Sequence, residues 1–216
     1  MPDLIAQFID IVLHLDVHLD ALVVDYGIWV YAILFLIVFC ETGLVVLPFL
    51  PGDSLLFAAG ALTASGRLDF SLLALLLIVA AILGNTVNYW VGRLVGDDLK
   101  RRFPRLIRQD HLDKTHGYFE RYGGKTIVIA RFVPIVRTVA PFAAGIGQMH
   151  HLRYQAYNLI GSLLWVLLLV PAGYFFGNVP FVKKNFSAVV LAIVFISILP
   201  GIIGVIRARG AVKREG

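Results

Sequence analysis

Apolar residues run along this chain in blocks that are long, nearly unbroken and almost free of charge. Residues 27–50, 70–95, 154–177 and 188–206 are the four longest, each close to the ~20 residues that a helix needs to cross about 30 Å of hydrocarbon. The pattern predicts four membrane helices. Residues 1–22 are different: in DLIAQFIDIVLHLDVHLDAL apolar and acidic positions interleave at helical spacing. That predicts an amphipathic helix at the interface or against the bundle, too polar to span.

Two segments break the pattern where a membrane tolerates it least. In residues 41–66 the apolar run carries Glu41 and Asp53 and is interrupted by Pro48 and by the Pro51-Gly52 turn signal. An acid at a membrane helix centre costs roughly 2.5–3.5 kcal/mol, and each proline removes a backbone donor. Irregular backbone persists at that depth only inside protein or along a polar cavity, so the expectation is a re-entrant hairpin that carries Glu41 and Asp53 inward. The alternative is an ordinary helix, a surface loop, and an Asp53 that merely caps the next helix. In residues 125–147, Arg131 and Arg137 stand in apolar sequence broken by Pro134 and Pro141. One arginine can snorkel to an interface; two around a proline fit a second re-entrant hairpin better.

Charge sets the topology. Residues 1–66 hold seven acids and no Lys or Arg, and all nineteen basic residues follow. They gather in residues 97–124, read as a cytoplasmic amphipathic segment, and in the tail 207–216, so membrane orientation and anionic headgroups explain them better than nucleic acid does. Both regions fall on the cytoplasmic side if residues 125–147 enter and return, and on opposite sides if they cross. Lys183 and Lys184 are then a minor violation in an external loop. LPFLPGDSLLFAAG and VPIVRTVAPFAAG also share prolines and an AAG ending. Together these features predict one all-α membrane domain built as an inverted repeat with two opposed hairpins, the plan of many secondary transporters.

Composition agrees: the chain has 216 residues, of which 59% are hydrophobic, with a mean hydropathy of +0.83, which a soluble fold of this size could not bury. Its one cysteine, Cys40, rules out an internal disulfide framework. The N-terminus lacks the basic region of a signal peptide, so no cleavage is expected. His14 and His18 share a helix face near Asp16 and Asp20 but complete no metal motif. No metal and no cofactor is expected. Asn85, Asn88 and Tyr89 are polar residues inside the second span, where asparagine can simply bond a neighbouring helix; Gly92 and Gly96 have GxxxG spacing, which permits close helix approach.

Arginine grips phosphate with a bidentate fork and is always charged, so Arg131 and Arg137 suit an anionic headgroup. A carboxylate beside them feels desolvation and arginine in opposite directions, which suits proton uptake and release. The constellation therefore fits proton-linked carriage of a phosphate group; the bland reading is a set of buried ion pairs that fixes helix register. His111, His116, His150 and His151 pair with no serine or acid in a recognisable motif, so catalysis is not expected.

At Phe39-Cys40-Glu41-Thr42-Gly43, Pro48-Phe49-Leu50-Pro51-Gly52-Asp53-Ser54-Leu55, Gly84-x3-Asn88-Tyr89-x2-Gly92-Arg93 and Arg131-Phe132-x-Pro134-x2-Arg137-Thr138-x2-Pro141 the chain closely resembles the DedA family, related to the SNARE-associated Golgi proteins. The resemblance covers nearly the whole chain. It implies a multi-pass protein of the bacterial inner membrane with two re-entrant hairpins, supporting proton-motive-force-dependent transport of undecaprenyl phosphate or a related phospholipid. Eukaryotic relatives are scramblases. The family's essential acids and arginines map onto Glu41, Asp53, Arg131 and Arg137, with Pro48, Pro51, Gly52, Asn85, Asn88, Tyr89, Pro134, Thr138 and Pro141 in support. The family often carries Asp where this chain has Asn85, which shifts any proton relay onto Glu41 and Asp53. The expected function is thus a membrane lipid flippase or scramblase with a cytoplasmic C-terminus, whose partners are a polyprenyl phosphate or phospholipid, protons, and in addition a second copy of itself as a homo-oligomer. The alternative is a proton-coupled transporter of small cations or drugs; a structural or assembly factor is the remaining reading.

Overall fold

The computed structural model of the chain describes residues 15–44, 52–102, 124–193 and 195. Among these, all regular structure is helical and no strand occurs. The helices are α1 (Leu15–Tyr26), α2 (Trp29–Gly43), α3 (Gly52–Ala64), α4 (Phe70–Arg102), α5 (Lys125–Ala130), α6 (Pro134–Ile146), α7 (His151–Phe176) and α8 (Pro180–Lys184), followed by helical residues 186–193. Within α4 and α7, Phe70–Val95 and His151–Phe176 are each 26 residues and apolar enough to cross a membrane, about 39 Å at 1.5 Å per residue.

These helices are inverted relative to those of a soluble fold. On α4, Leu75, Leu83, Val87 and Leu94 are exposed while Asn85, Asn88 and Tyr89 are buried. On α7, Leu159, Leu164 and Leu168 face outward and Asn158 and Ser162 inward. Even the short α6 exposes Val136 and Val139 and buries Arg137 and Thr138. Apolar outer faces around polar interior groups are what a hydrocarbon solvent selects; the chain is an all-helical membrane protein.

Several expected boundaries move. Of the span read at 27–50, α2 covers Trp29–Gly43 and Leu44 is not helical; residues 45–50, with Pro48, and Pro51 lie outside the described residues. The helix after them, α3, has 13 residues and lies inside the 41–66 segment. The polar stretch from residue 97 begins as a continuation of α4 through Arg102, because Leu, Lys and Arg are strong helix formers even where the apolar run has ended. Of the N-terminal helix expected over 1–22, only α1 is described, and it runs to Tyr26, where Gly27 takes the left-handed conformation (φ 52°) that a helix end favours. His14, most of 97–124, most of 188–206 and the tail 207–216 fall outside the described residues.

The chain divides into two compact units. The first comprises residues 1–34, 51–76 and 166–216. Its centre is α3, with ten of its thirteen residues buried, as befits a helix apolar all round. The α3 and α7 backbones approach closely, since a Cβ at Gly60 would meet the Val170 carbonyl and one at Gly173 the Phe57 carbonyl. Asp69 caps α4 by accepting the Leu72 N–H at 2.7 Å, and its own N–H donates to the Tyr31 hydroxyl at 2.7 Å.

The second unit comprises residues 35–50 and 77–165: the end of α2, most of α4, all of α5 and α6, and the start of α7. Here α2 lies against α4 at Gly43 and Gly84, where a Cβ on Gly84 would come within 2.7 Å of the Phe39 carbonyl oxygen. Between α5 and α6 the chain turns through three i to i+3 hydrogen bonds, from Arg131, Phe132 and Val133 to Val128, Ile129 and Ala130. Val133 is extended (φ −122°, ψ 107°) and Pro134 opens α6. The cause is local: proline pushes the preceding residue out of the helical region and is well placed in a first turn.

Candidate functional site

The break at Val133-Pro134 ends α5 at Arg131 and sets Arg137 one turn into α6. Pro141, also inside α6, has no N–H to give the Arg137 carbonyl four residues earlier. Both arginines are buried, at 5% and 8% exposure, and Glu41 on α2 is buried at 1%. Arg137 Nη2 donates to Glu41 Oε1, a charge-assisted pair within the second unit.

Both arginines also meet one aromatic side chain. Trp165 on α7, 2% exposed, has the Arg131 Cζ 5.0 Å and the Arg137 Cζ 5.3 Å from its ring centroid. Both distances lie within the ~6 Å reach of a cation–π contact, worth up to ~2 kcal/mol when desolvated. One indole therefore orients two guanidiniums. Beside them is a small cavity of about 10 Å³ bordered by Thr42, Asn85, Arg131, Arg137 and Trp165, room for about one water.

Asparagines hold this cluster together. Asn88 Nδ2 donates to the Thr42 carbonyl at 3.2 Å and to the Thr138 carbonyl at 2.8 Å. Thr42 follows Glu41 and Thr138 follows Arg137, so one carboxamide ties the backbone beside the acid to the backbone beside its cation. Asn85 Nδ2 donates to Asn158 Oδ1 at 2.9 Å, and Asn158 Nδ2 donates to the Ile82 carbonyl at 3.1 Å. Tyr154 caps the arrangement by donating to the Asn85 carbonyl at 2.9 Å. A carboxamide at Asn85 holds its neighbours but takes up no proton.

The structure thus brings together Glu41, Arg131, Arg137, Thr138, Asn85 and Asn88 in the second unit. Tyr89 serves a neighbouring cluster: it stacks on Tyr154 with centroids 4.4 Å apart and donates to the Met149 carbonyl at 2.6 Å. Asp53, half-buried in the first turn of α3, and Gly52 belong to the first unit; an acid there suits the helix N-terminus. Pro134 starts α6 and Pro141 lies within it, while Pro48 and Pro51 lie outside the described residues. Trp165 and Asn158 lie inside the predicted span 154–177 and drew no role from the sequence. Their signal was present, a polar and an aromatic residue inside an apolar run, but their partners are distant in sequence. Among the described residues no group of three or more His, Cys, Asp or Glu could hold a metal ion, and Cys40 is a free thiol.

Residues 50–175 match the family model described as the VTT domain. Over 215 residues the chain is 55% identical to Protein DedA of Escherichia coli, covering 98% of both chains. It is 41% identical to an uncharacterized membrane protein of Mycobacterium leprae over 168 residues, 77% of this chain and 75% of that one. Inner membrane protein YqjA of Escherichia coli is 39% identical over 156 residues, 71% of this chain and 70% of that one. No solved structure matches.

Proposed function

The chain belongs to the DedA family of VTT-domain membrane proteins, and from that premise we propose that it is a lipid transporter, a flippase or scramblase for undecaprenyl phosphate or a related phospholipid. The observation that carries the proposal is the cluster in which Glu41 pairs with Arg137 while Trp165 stacks on both Arg137 and Arg131. Arginines are costly at membrane depth, and two of them bordering one small cavity provide the charge that a phosphate headgroup requires. Glu41 holds Arg137 until a phosphate takes its place, and protonation of the displaced carboxylate would link the exchange to the proton gradient. Asp53 is proposed as the second proton-linked acid.

The hairpin architecture belongs to the same proposal. At 1.5 Å per residue, α3 reaches about 20 Å, α5 about 9 Å and α6 about 20 Å, all short of ~30 Å. The proline-directed break between α5 and α6 supports an element that enters and returns, and its likeness to residues 41–66 supports an inverted repeat. We place the protein in the bacterial inner membrane with a cytoplasmic C-terminus, acting without catalysis and without a cofactor, and able to self-associate.

A cavity of about 10 Å³ admits no headgroup, so we assign this conformation to the closed stage of the cycle. The same size favours a second reading, a proton-coupled transporter of small cations or drugs with the acids as the site and the arginines as locks. Lipid flip-flop in proteoliposomes holding the purified protein and a polyprenyl phosphate, at two pH gradients, separates the two. Flipping that is lost in Arg131→Ala and Arg137→Ala, and loses its gradient dependence in Glu41→Gln and Asp53→Asn, is expected. Flipping that ignores the gradient makes the protein a scramblase. No flipping by folded wild-type protein, with cation transport intact in Arg131→Lys and Arg137→Lys, overturns the lipid reading in favour of the second.

A further inference from the structure

The first unit contains a larger cavity, about 240 Å³, between α1, the end of α3 and the α7–α8 turn. Its rim carries Asp20, Arg67 and Lys183 and its floor Leu62 and Phe186, so it is charged at the mouth and apolar beneath. Arg67 Nη1 pairs with Asp20 Oδ1, with both side chains part-exposed. That contact engages one of the five guanidinium donors and fixes the direction of the rest. Lys183 has no acidic partner among the described residues. Asn178 Nδ2 donates to the Ala61 carbonyl at 3.1 Å, which holds the α7–α8 turn against the end of α3. The mouth therefore presents two cations to one acid above an apolar wall.

We propose that this cavity binds a phosphate anion, as a phospholipid headgroup or as a free ion, with Arg67 as the oriented fork and Lys183 as the uncompensated charge. A space of 240 Å³ far exceeds the ~30 Å³ share of one water and accommodates a phosphate with part of its ester. The apolar floor suits the glyceryl end of a lipid. The proposal explains why Lys183 breaks the charge rule for an external loop, and it draws on no residue of the transport cluster.

Amine-reactive footprinting of the full chain tests it, because Lys183 lines the cavity and Lys184 does not, while both are exposed. The protein is held in neutral detergent with phosphatidylglycerol, with diacylglycerol lacking phosphate, or with inorganic phosphate. Phosphatidylglycerol at about ten times its Kd should slow Lys183 modification roughly tenfold by simple occupancy, leave Lys184 much less affected, and be matched by no effect of diacylglycerol. Protection by inorganic phosphate as well identifies a free-anion site; protection by the lipid alone identifies a headgroup site; either supports the assignment. Arg67→Gln should abolish protection, and Arg67→Lys, which keeps the charge but loses the fork, should weaken it without abolishing it. Ser65→Glu, which adds an acid at the exposed rim, should abolish it without touching Arg67. Equal shielding of both lysines, equal protection by diacylglycerol, or full protection in folded Ser65→Glu overturns the proposal. Arg131→Ala should leave Lys183 protection unchanged, so failure of the transport reading and failure of this one are separable.

Discussion

Removing Glu41 should cost more than removing Arg137, and removing both should cost less than removing either. Glu41→Leu strands a guanidinium that is 8% exposed and cannot lose its proton. Breaking a buried pair from one side costs about 3–5 kcal/mol, roughly a 150-fold or larger fall in the folding equilibrium constant. Arg137→Met instead leaves a carboxylate that can shed its charge by taking up a proton, so its cost should lie at or below about 3 kcal/mol. The double variant replaces the pair by apolar side chains and should return to within ~1 kcal/mol of wild type. Reversible unfolding in mixed micelles titrated with dodecyl sulfate measures all three. Gradient-dependent transport should be absent in every one of them, including the stable double variant. Single variants that both lie within ~1 kcal/mol of wild type would show that the pair is solvated, and the reasoning built on its burial would fail.

Three further outcomes follow from the same geometry. Asn88→Leu removes both donors that hold Thr42 and Thr138 and should cost ~2 kcal/mol or more from the orphaned carbonyls, and Asn88→Asp should be worse because a carboxylate meets two acceptors; thermal unfolding in detergent reads both. Trp165→Leu should lose ~1–2 kcal/mol and most flipping activity, whereas Trp165→Phe, which keeps a weaker aromatic face, should retain part of each. Gly92→Val should fail to fold, since a Cβ there already overlaps the Phe142 backbone, while Gly66→Ala, in open space at φ 75°, should cost only the ~1–2 kcal/mol of left-handed backbone; yield and melting temperature distinguish them.

Much of this was legible in one dimension because a membrane makes polar residues conspicuous. Glu41, Arg131 and Arg137 stand out from apolar surroundings, and the Val133-Pro134 break is dictated by adjacent residues. The bland reading of Asn85 and Asn88, as groups that bond neighbouring helices, describes their hydrogen bonds as observed. What could not be read were pairings across long stretches of sequence. Nothing near Trp165 marks it as the partner of arginines 28 and 34 residues earlier, and nothing near Arg67 announces Asp20. Helix ends were misjudged where intrinsic propensity outlasted hydrophobicity, as at Leu99 to Arg102.

Trp165 also makes the protein its own optical gauge. The chain has three tryptophans, and Trp29 and Trp90 are 69% and 41% exposed while Trp165 is 2% exposed. With the outer two replaced by phenylalanine, the remaining emission would come from a ring in contact with both guanidiniums. Any event that parts the arginines, admits water or seats an anion would alter the wavelength and quenching of that one fluorophore, with no label attached.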